Sequence, residues 1–131
     1  MREELDKKLC KKYPKLYAQR GWSMQETCMC WGFPGDGWYD LIDRLSAKIE
    51  PLGAVATQVK EKFGTLRFYI GGVDNENFDE VYQYINEAER ESAKTCERCG
   101  DTETACTRGG FWLQTLCDVC ENKRKEDNAN R

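Results

Sequence analysis

Four cysteines near the C-terminal end carry the clearest chemistry in the chain. Cys96 and Cys99 form one Cys-x-x-Cys pair and Cys117 and Cys120 a second, with seventeen residues between the pairs. Two residues between cysteines let a tight turn aim both sulfurs at one point. Two such knuckles joined by a hairpin-length insert have the spacing of a zinc ribbon. The chain contains no histidine, so a Cys2His2 site is excluded and four thiolates are the donor set. Four protein thiolates fill a zinc tetrahedron and leave no position for a catalytic water, so the expected cofactor is one structural Zn²⁺ per chain. Iron suits the same four sulfurs, and the spacing does not separate the two metals. A pair of disulfides is the competing account, but nothing in the sequence points to the oxidising compartment they need. A redox Cys-x-x-Cys is less apt, because two matched pairs suit a single tetrahedral ion.

The remaining cysteines, Cys10, Cys28, Cys30 and Cys106, lack such a pattern. Cys28-x-Cys30 is a usable ligand pair whose other ligands would have to come from distant positions. Ordinary buried thiols, acting as small hydrophobes, are the favoured account. Catalysis has thin support. A base would have to be a carboxylate, Lys, Tyr or Cys. Asp36, Asp40 and Asp43 are available but are as readily a helix's polar face. No nucleophile motif or Walker loop is present, and Gly35-Asp36-Gly37 is too short to count as a phosphate loop.

Several other side chains could bind. Trp22, Trp31 and Trp38 fall close together, around the turn-forming run Pro34-Gly35-Asp36-Gly37. That run can be an aromatic-walled pocket beside a glycine loop, or simply core and turn. Lys60, Lys62, Arg67 and Tyr69 cluster on one expected hairpin, where strand alternation can place Lys60, Arg67 and Tyr69 on a shared polar face. A small basic patch of this kind suits one phosphate-bearing ligand or an acidic spot on a partner; a solvated sheet face is the plain alternative. Arg98, Arg108, Lys123, Arg124 and Lys125 could form a second patch on the ribbon, although acidic residues are equally numerous there.

Composition limits the possibilities. The chain has 131 residues, 33% charged and 40% hydrophobic, with a formal net charge of −3. Four metal-bound thiolates and one Zn²⁺ would bring this to about −5. A mildly acidic protein is a poor general binder of nucleic acid or anionic membrane. The charged N-terminus lacks the apolar run of a signal peptide, and no stretch approaches a transmembrane span. The expectation is a cytoplasmic protein with reduced cysteines.

The elements that must position these residues read as follows. Residues 2–12 form a helix with Leu5, Leu9 and Tyr13 on one stripe, and Pro14 can open a second short helix with Leu16 and Tyr17 buried. Alternation of Cys28 and Cys30 suggests an extended run. A helix follows from residue 39 or 40 to residue 50, capped by Asp36 or Asp40 and ended by Pro51 and Gly53. Residues 54–70 read as a hairpin, with Val55, Thr57 and Val59 alternating with Ala56, Gln58 and Lys60. Residues 75–93 make the clearest helix, with Phe78, Val81, Ile85, Ala88 and Ser92 on its inner face and Asp74 or Asn75 as cap. It leads into the first knuckle without a linker. The ribbon insert should run out along Thr104–Arg108, turn at Gly109-Gly110, and return along Phe111–Leu116. The fold class is α+β: helices flanking a small antiparallel hairpin, with a C-terminal zinc ribbon packed on the body. Residues 1–93 form the body and residues 94–131 the ribbon with a short helix and tail, together one compact unit.

One ordered set of motifs has a further meaning. Gly35-Asp36-Gly37-Trp38-Tyr39-Asp40-Leu41-Ile42, then Gln58 to Tyr69 with Lys62-Phe63-Gly64-Thr65 at its centre, then Thr95-Cys96-Glu97-Arg98-Cys99-Gly100, then Gly110-Phe111-Trp112 and Thr115-Leu116-Cys117 resemble a family of small uncharacterised phage-encoded proteins with a C-terminal four-cysteine ribbon. The resemblance spans roughly residues 35–122. It implies an α+β body and the ribbon, and a counter-defence setting, but no activity. It assigns no role to the four additional cysteines. Within that setting the favoured expectation is a non-enzymatic protein that captures a nucleotide-type immune signal, Trp38 and Tyr39 stacking the base and Lys62 and Arg67 holding phosphate. The alternatives are an inhibitor that binds a host protein through an exposed aromatic patch including Trp112, and a ribbon that docks on transcription machinery or nucleic acid.

Overall fold

In the computed structural model, which describes residues 1–130, four helices and two antiparallel hairpins form an α+β fold. Helix α1 spans Glu3–Lys12, α2 Tyr39–Ile49, α3 Asn75–Ser92 and α4 Asp118–Ala129. Strands β1 (Val55–Lys62) and β2 (Thr65–Gly71) make the first hairpin, and β3 (Cys106–Arg108) and β4 (Gln114–Leu116) the second. The fold class expected from the sequence is therefore present, with the four-cysteine cluster in the C-terminal region.

The main core lies where α2 and α3 pack on each other and α3 packs on β2. Leu41, Ile42, Leu45 and Ile49 of α2 meet Val81, Ile85 and Ala88 of α3, because each set recurs at the three- and four-residue spacing of one helix face. Leu9, Tyr13, Leu16 and Tyr17 close the same core from the N-terminal side. The Tyr17 hydroxyl shares a 2.6 Å hydrogen bond with Ser46 Oγ, satisfying two polar groups that the core would otherwise strand.

Local geometry departs from the sequence pattern at several points. First, β1 does not alternate strictly. A bulge between Ala56 and Gln58 inserts Thr57, so Ala56 faces the core before it and Val59 after it. Second, Cys28–Trp31 is a 3₁₀ turn rather than an extended run. Thr27 Oγ1 accepts from the Met29 N–H at 3.1 Å, which starts the turn and lets Met29 fill the core. Third, Pro14 opens no second α-helix; residues 14–21 form successive turns, with Leu16 and Tyr17 buried as expected. Fourth, no carboxylate side chain bonds the start of α2 or α3. Trp38 occupies the cap position of α2, Asp36 pairs instead with Arg2 at 3.0 Å, and Asp74 holds the cap position of α3, as expected, but without a side-chain capping bond. Phe78, on the expected inner face of α3, is exposed and packs on Tyr82 with ring centroids 4.6 Å apart.

The ribbon is seated on the body by two glycine-containing segments. Gly37 N–H donates to Glu97 O at 3.0 Å, and a Cβ at Gly37 would lie 2.6 Å from Gly100 N. The Trp38 indole N–H donates to Thr95 O at 2.8 Å. On the other side, the turn of the first hairpin presents Gly64, in the left-handed region at φ +84°, to the second hairpin. Thr115 Oγ1 donates to Gly64 O at 2.5 Å. Gly35-Asp36-Gly37-Trp38 and Lys62-Phe63-Gly64-Thr65 are thus the surfaces on which the ribbon sits.

Candidate functional site

The candidate metal centre is built from two turns and one helix start. Cys96 follows the end of α3, and its N–H donates to Asp101 O at 2.8 Å while Gly100 N–H donates to Cys96 O at 2.9 Å. Gly100 adopts φ +85°, the conformation that lets the knuckle close. Cys117 caps α4, its Sγ accepting from Cys120 N–H at 3.4 Å. The four sulfurs of Cys96, Cys99, Cys117 and Cys120 lie within 4.8 Å of one another, and those of Cys99 and Cys117 are 3.6 Å apart. Zinc–sulfur bonds of about 2.3 Å in a tetrahedron require sulfur–sulfur edges near 3.8 Å, so the cluster has the size of a four-thiolate metal site.

The electrostatics suit a cation. Burial pushes the Cys96 thiol up, but hydrogen bonds from the backbone of Cys117, Cys99 and Arg98 outweigh it and hold the group at about 7. Burial and the neighbouring thiols push Cys120 up to about 12. Four adjacent thiols cannot all ionise alone; a divalent cation among them allows it. All eight cysteines are free thiols, so the disulfide account has no bonded pair behind it. Cys28 and Cys106 are exposed, while Cys10 and Cys30 are half-buried, so the expectation that these four are ordinary buried thiols is corrected. Cys96, Cys99, Cys117 and Cys120 are the group placed to hold a metal among the described residues.

The residues expected to bind a ligand divide into two sets. Lys60, Lys62, Arg67 and Tyr69 share the outer face of the first hairpin, since Lys60 pairs with Arg67, Lys62 with Thr65 and Tyr69 with Gln58. Arg67 is engaged by Glu89 at 3.1 Å, and the Lys62 ammonium lies over the Phe63 ring, 5.4 Å from its centroid. Trp38 and Tyr39 do not join them. Trp38 is 0% exposed and bonded to Thr95, so it offers no face to a ligand. Tyr39 is half-buried beneath Lys8, whose ammonium is 5.5 Å from the ring centroid. The base-stacking role expected of Trp38 is corrected accordingly: its type and spacing suit a pocket wall, but its indole braces the junction with the ribbon.

The structure presents a different aromatic surface. The tip of the second hairpin is longer than a Gly-Gly turn and comprises residues 109–113. Gly109, at φ +102°, packs so closely against the Trp112 carbonyl that no side chain fits there. Phe111 is fully exposed and Trp112 is 72% exposed. They border a groove of about 500 Å³ that Arg98, Gln114, Glu121, Arg124 and Lys125 complete. Arg124 supports the tip from below, donating to Trp112 O at 3.4 Å and to Gln114 Oε1 at 3.2 Å and pairing with Glu121 at 2.7 Å. Gln114 Nε2 in turn donates to Glu97 Oε1 at 2.9 Å, so the tip is linked to the metal knuckle by polar contacts. The sequence signal for this surface is two large aromatics at turn positions that polar residues usually occupy.

Glu97 was not singled out from the sequence. It lies between two positions of the first knuckle and is buried. Burial first, and the nearby Glu61 second, push its carboxyl up to about 7. Its Oε2 has no hydrogen-bond partner among the described residues.

No helix among the described residues is long and apolar enough to cross a membrane. The resemblance drawn from the motifs is matched in its structural part, the clustered cysteines near the C-terminus. The chain matches no protein-family model, no curated protein and no solved structure.

Proposed function

We propose that the protein is a non-enzymatic capture module, held together by structural zinc, that takes a nucleotide-type ligand at the ribbon tip. The observation that carries this reading is the pairing of exposed Phe111 and Trp112 with Arg98 and Lys125 around one groove. Neither Arg98 nor Lys125 forms an ion pair among the described residues. Aromatic faces stack bases and free cations hold phosphate. The acidic balance of the chain disfavours a long polyanion and leaves a mononucleotide or short oligonucleotide as the fitting class. The four-thiolate centre supplies the rigidity; with every zinc position filled by protein, it offers none to a substrate. The motif resemblance to phage-encoded proteins supports a counter-defence role in the host cytoplasm, with an immune signal nucleotide as the captured species.

The test is a titration of zinc-loaded protein with nucleoside mono-, di- and triphosphates, followed by tryptophan fluorescence. Stacking on one aromatic is worth about 1–3 kcal/mol, so Trp112→Ala should weaken binding by about fivefold or more. Arg98→Glu should weaken it further and flatten a shallow salt dependence. Wild-type affinity in both variants, or no nucleotide bound at millimolar concentration, overturns the reading.

A second reading is favoured by the protrusion of Phe111 and Trp112 from a hairpin apex. Rigid aromatics at an apex serve as anchors for a pocket on a partner protein. An inhibitor of a host defence or transcription protein would co-purify with its target and carry no small adduct in native mass spectrometry.

A further inference from the structure

A second cleft, apart from the ribbon tip, lies between residues 31–35 and strand β1. Its volume is about 310 Å³ and its lining includes Trp31, Phe33, Gln58, Lys60, Glu61 and Glu97. Two features of it are unexplained by the fold. Glu97 is 8% exposed, yet its Oε2 has no hydrogen-bond partner among the described residues, although its Oε1 is held by Gln114. A buried carboxylate oxygen without a donor is costly and uncommon in a folded protein. On the rim, Trp31 leaves 73% of its surface in solvent, although Met29 of the same turn is fully buried. A single exposed indole is ordinary on a surface, but at the rim of a hollow lined by carboxylates it offers a ring face to a cation.

The two features call for the same chemistry. An indole face attracts a cation through its ring quadrupole, and a buried carboxylate oxygen lacks an N–H donor. Glu61 adds a second carboxylate to the lining; its Oε1 accepts from Gly64 N–H at 2.8 Å, which fixes the side chain. We propose that this cleft is a binding site for an organic cation, an alkylammonium or guanidinium group whose N–H donors reach Glu97 and Glu61 while Trp31 and Phe33 cover its apolar part. Such a group arrives either as a free polyamine or as the Lys or Arg side chain of a partner protein. The site is independent of the nucleotide reading, since it shares no lining residue with the groove at the ribbon tip.

Lys60 sharpens the test, because it lines the same cleft and opposes a cation. The zinc-loaded full chain is titrated with putrescine and, separately, with a blocked Gly-Arg-Gly peptide in mildly alkaline, low-salt buffer, by calorimetry. Saturable binding of either probe is expected, and preference for one identifies the source. Trp31→Ala and Glu97→Gln should each weaken binding by about fivefold or more, while Lys60→Gln should tighten it. Zinc content and melting temperature of each variant confirm that the fold is intact; Trp31→Ala alters an exposed side chain, so it serves where Glu97→Gln disturbs the ribbon. Absence of binding by both probes, unchanged affinity in Trp31→Ala, or loss of binding in Lys60→Gln overturns the proposal, the last because a lysine that opposes the bound cation cannot be required to hold it.

Discussion

Adding one methyl group at Gly37 should separate the ribbon from the body. Its Cβ would stand 2.6 Å from Gly100 N and 2.7 Å from Glu97 C, and closer still to the Cys96 carbonyl. All three contacts are backbone atoms of the first metal knuckle, so no side chain can rotate aside. Ordinary contact begins near 3.4 Å, which requires the knuckle to retreat by about 0.8 Å from Gly100 N alone. That retreat breaks the hydrogen bond from Gly37 N–H to Glu97 O, now 3.0 Å. The lost bond costs about 0.5–1.5 kcal/mol, and overpacking of a tight contact about 1–3 kcal/mol. Gly37→Ala should therefore destabilise the zinc-loaded protein by about 2–4 kcal/mol. In urea, with a slope of about 2 kcal/mol per molar, the midpoint falls by about 1–2 M. Gly21→Ala is the control, because a Cβ there meets nothing within 4 Å and should change stability by no more than about 0.5 kcal/mol. A Gly37→Ala protein with the wild-type midpoint would refute the view that this backbone contact seats the ribbon.

Other expectations follow from the same geometry. Cys99→Ser should abolish stoichiometric zinc and lower the melting temperature sharply, since four-thiolate sites contribute about 10 kcal/mol or more in small domains; full metal by mass spectrometry and unchanged melting would exclude Cys99 as a ligand. Thr115→Val removes the hydroxyl that donates to Gly64 O within the buried contact between the hairpins, and should cost about 1–3 kcal/mol in denaturant unfolding with zinc retained. Burial pushes the Asp43 carboxyl up, but hydrogen bonds from Lys12 and Tyr13 prevail and hold it below the usual range. Its stabilisation is present above the unfolded-state value and lost as pH falls through the lowered folded value. Asp43→Asn should flatten that acid limb of the stability profile, and an unaltered limb would show that the carboxylate contributes nothing there.

Particular residues show how far the sequence was legible. The four-cysteine cluster was readable because cysteine type and two-residue spacing together imply one convergent point. Helix α3 was readable because Val81, Ile85, Ala88 and Ser92 recur at helical period, although the same pattern wrongly included Phe78. The bulge at Thr57 was not, since alternation continues on paper straight through an inserted residue. Nor were the fates of the tryptophans. Trp22, Trp31 and Trp38 share composition and neighbourhood, yet their exposures are 47%, 73% and 0%. What decides between them is a long-range contact, the carbonyl of Thr95 waiting for one indole N–H. Gly35 and Gly37 read as a loop for a related reason: a glycine that admits a neighbouring backbone looks the same in sequence as one that permits a turn. Glu97 escaped notice because its neighbours on both sides belong to the knuckle, and its burial depends on Gln114 and β1.

The joint between body and ribbon is largely a meeting of two main chains. Gly35 and Gly37 face the carbonyls of Glu97 and Cys96, and Gly64 faces the strand that carries Gln114 and Thr115. A joint of this kind has little side-chain wording to vary. Residues beside it, such as Arg98 and Lys62, can drift in identity without disturbing the fit, whereas the glycines cannot. Divergent chains with the same architecture would keep these three absences of a side chain and the four cysteines as their common signature while losing most other likeness. Their surfaces, including the ribbon tip and the cleft beside Trp31, would be free to change ligand from one chain to the next on an unchanged frame.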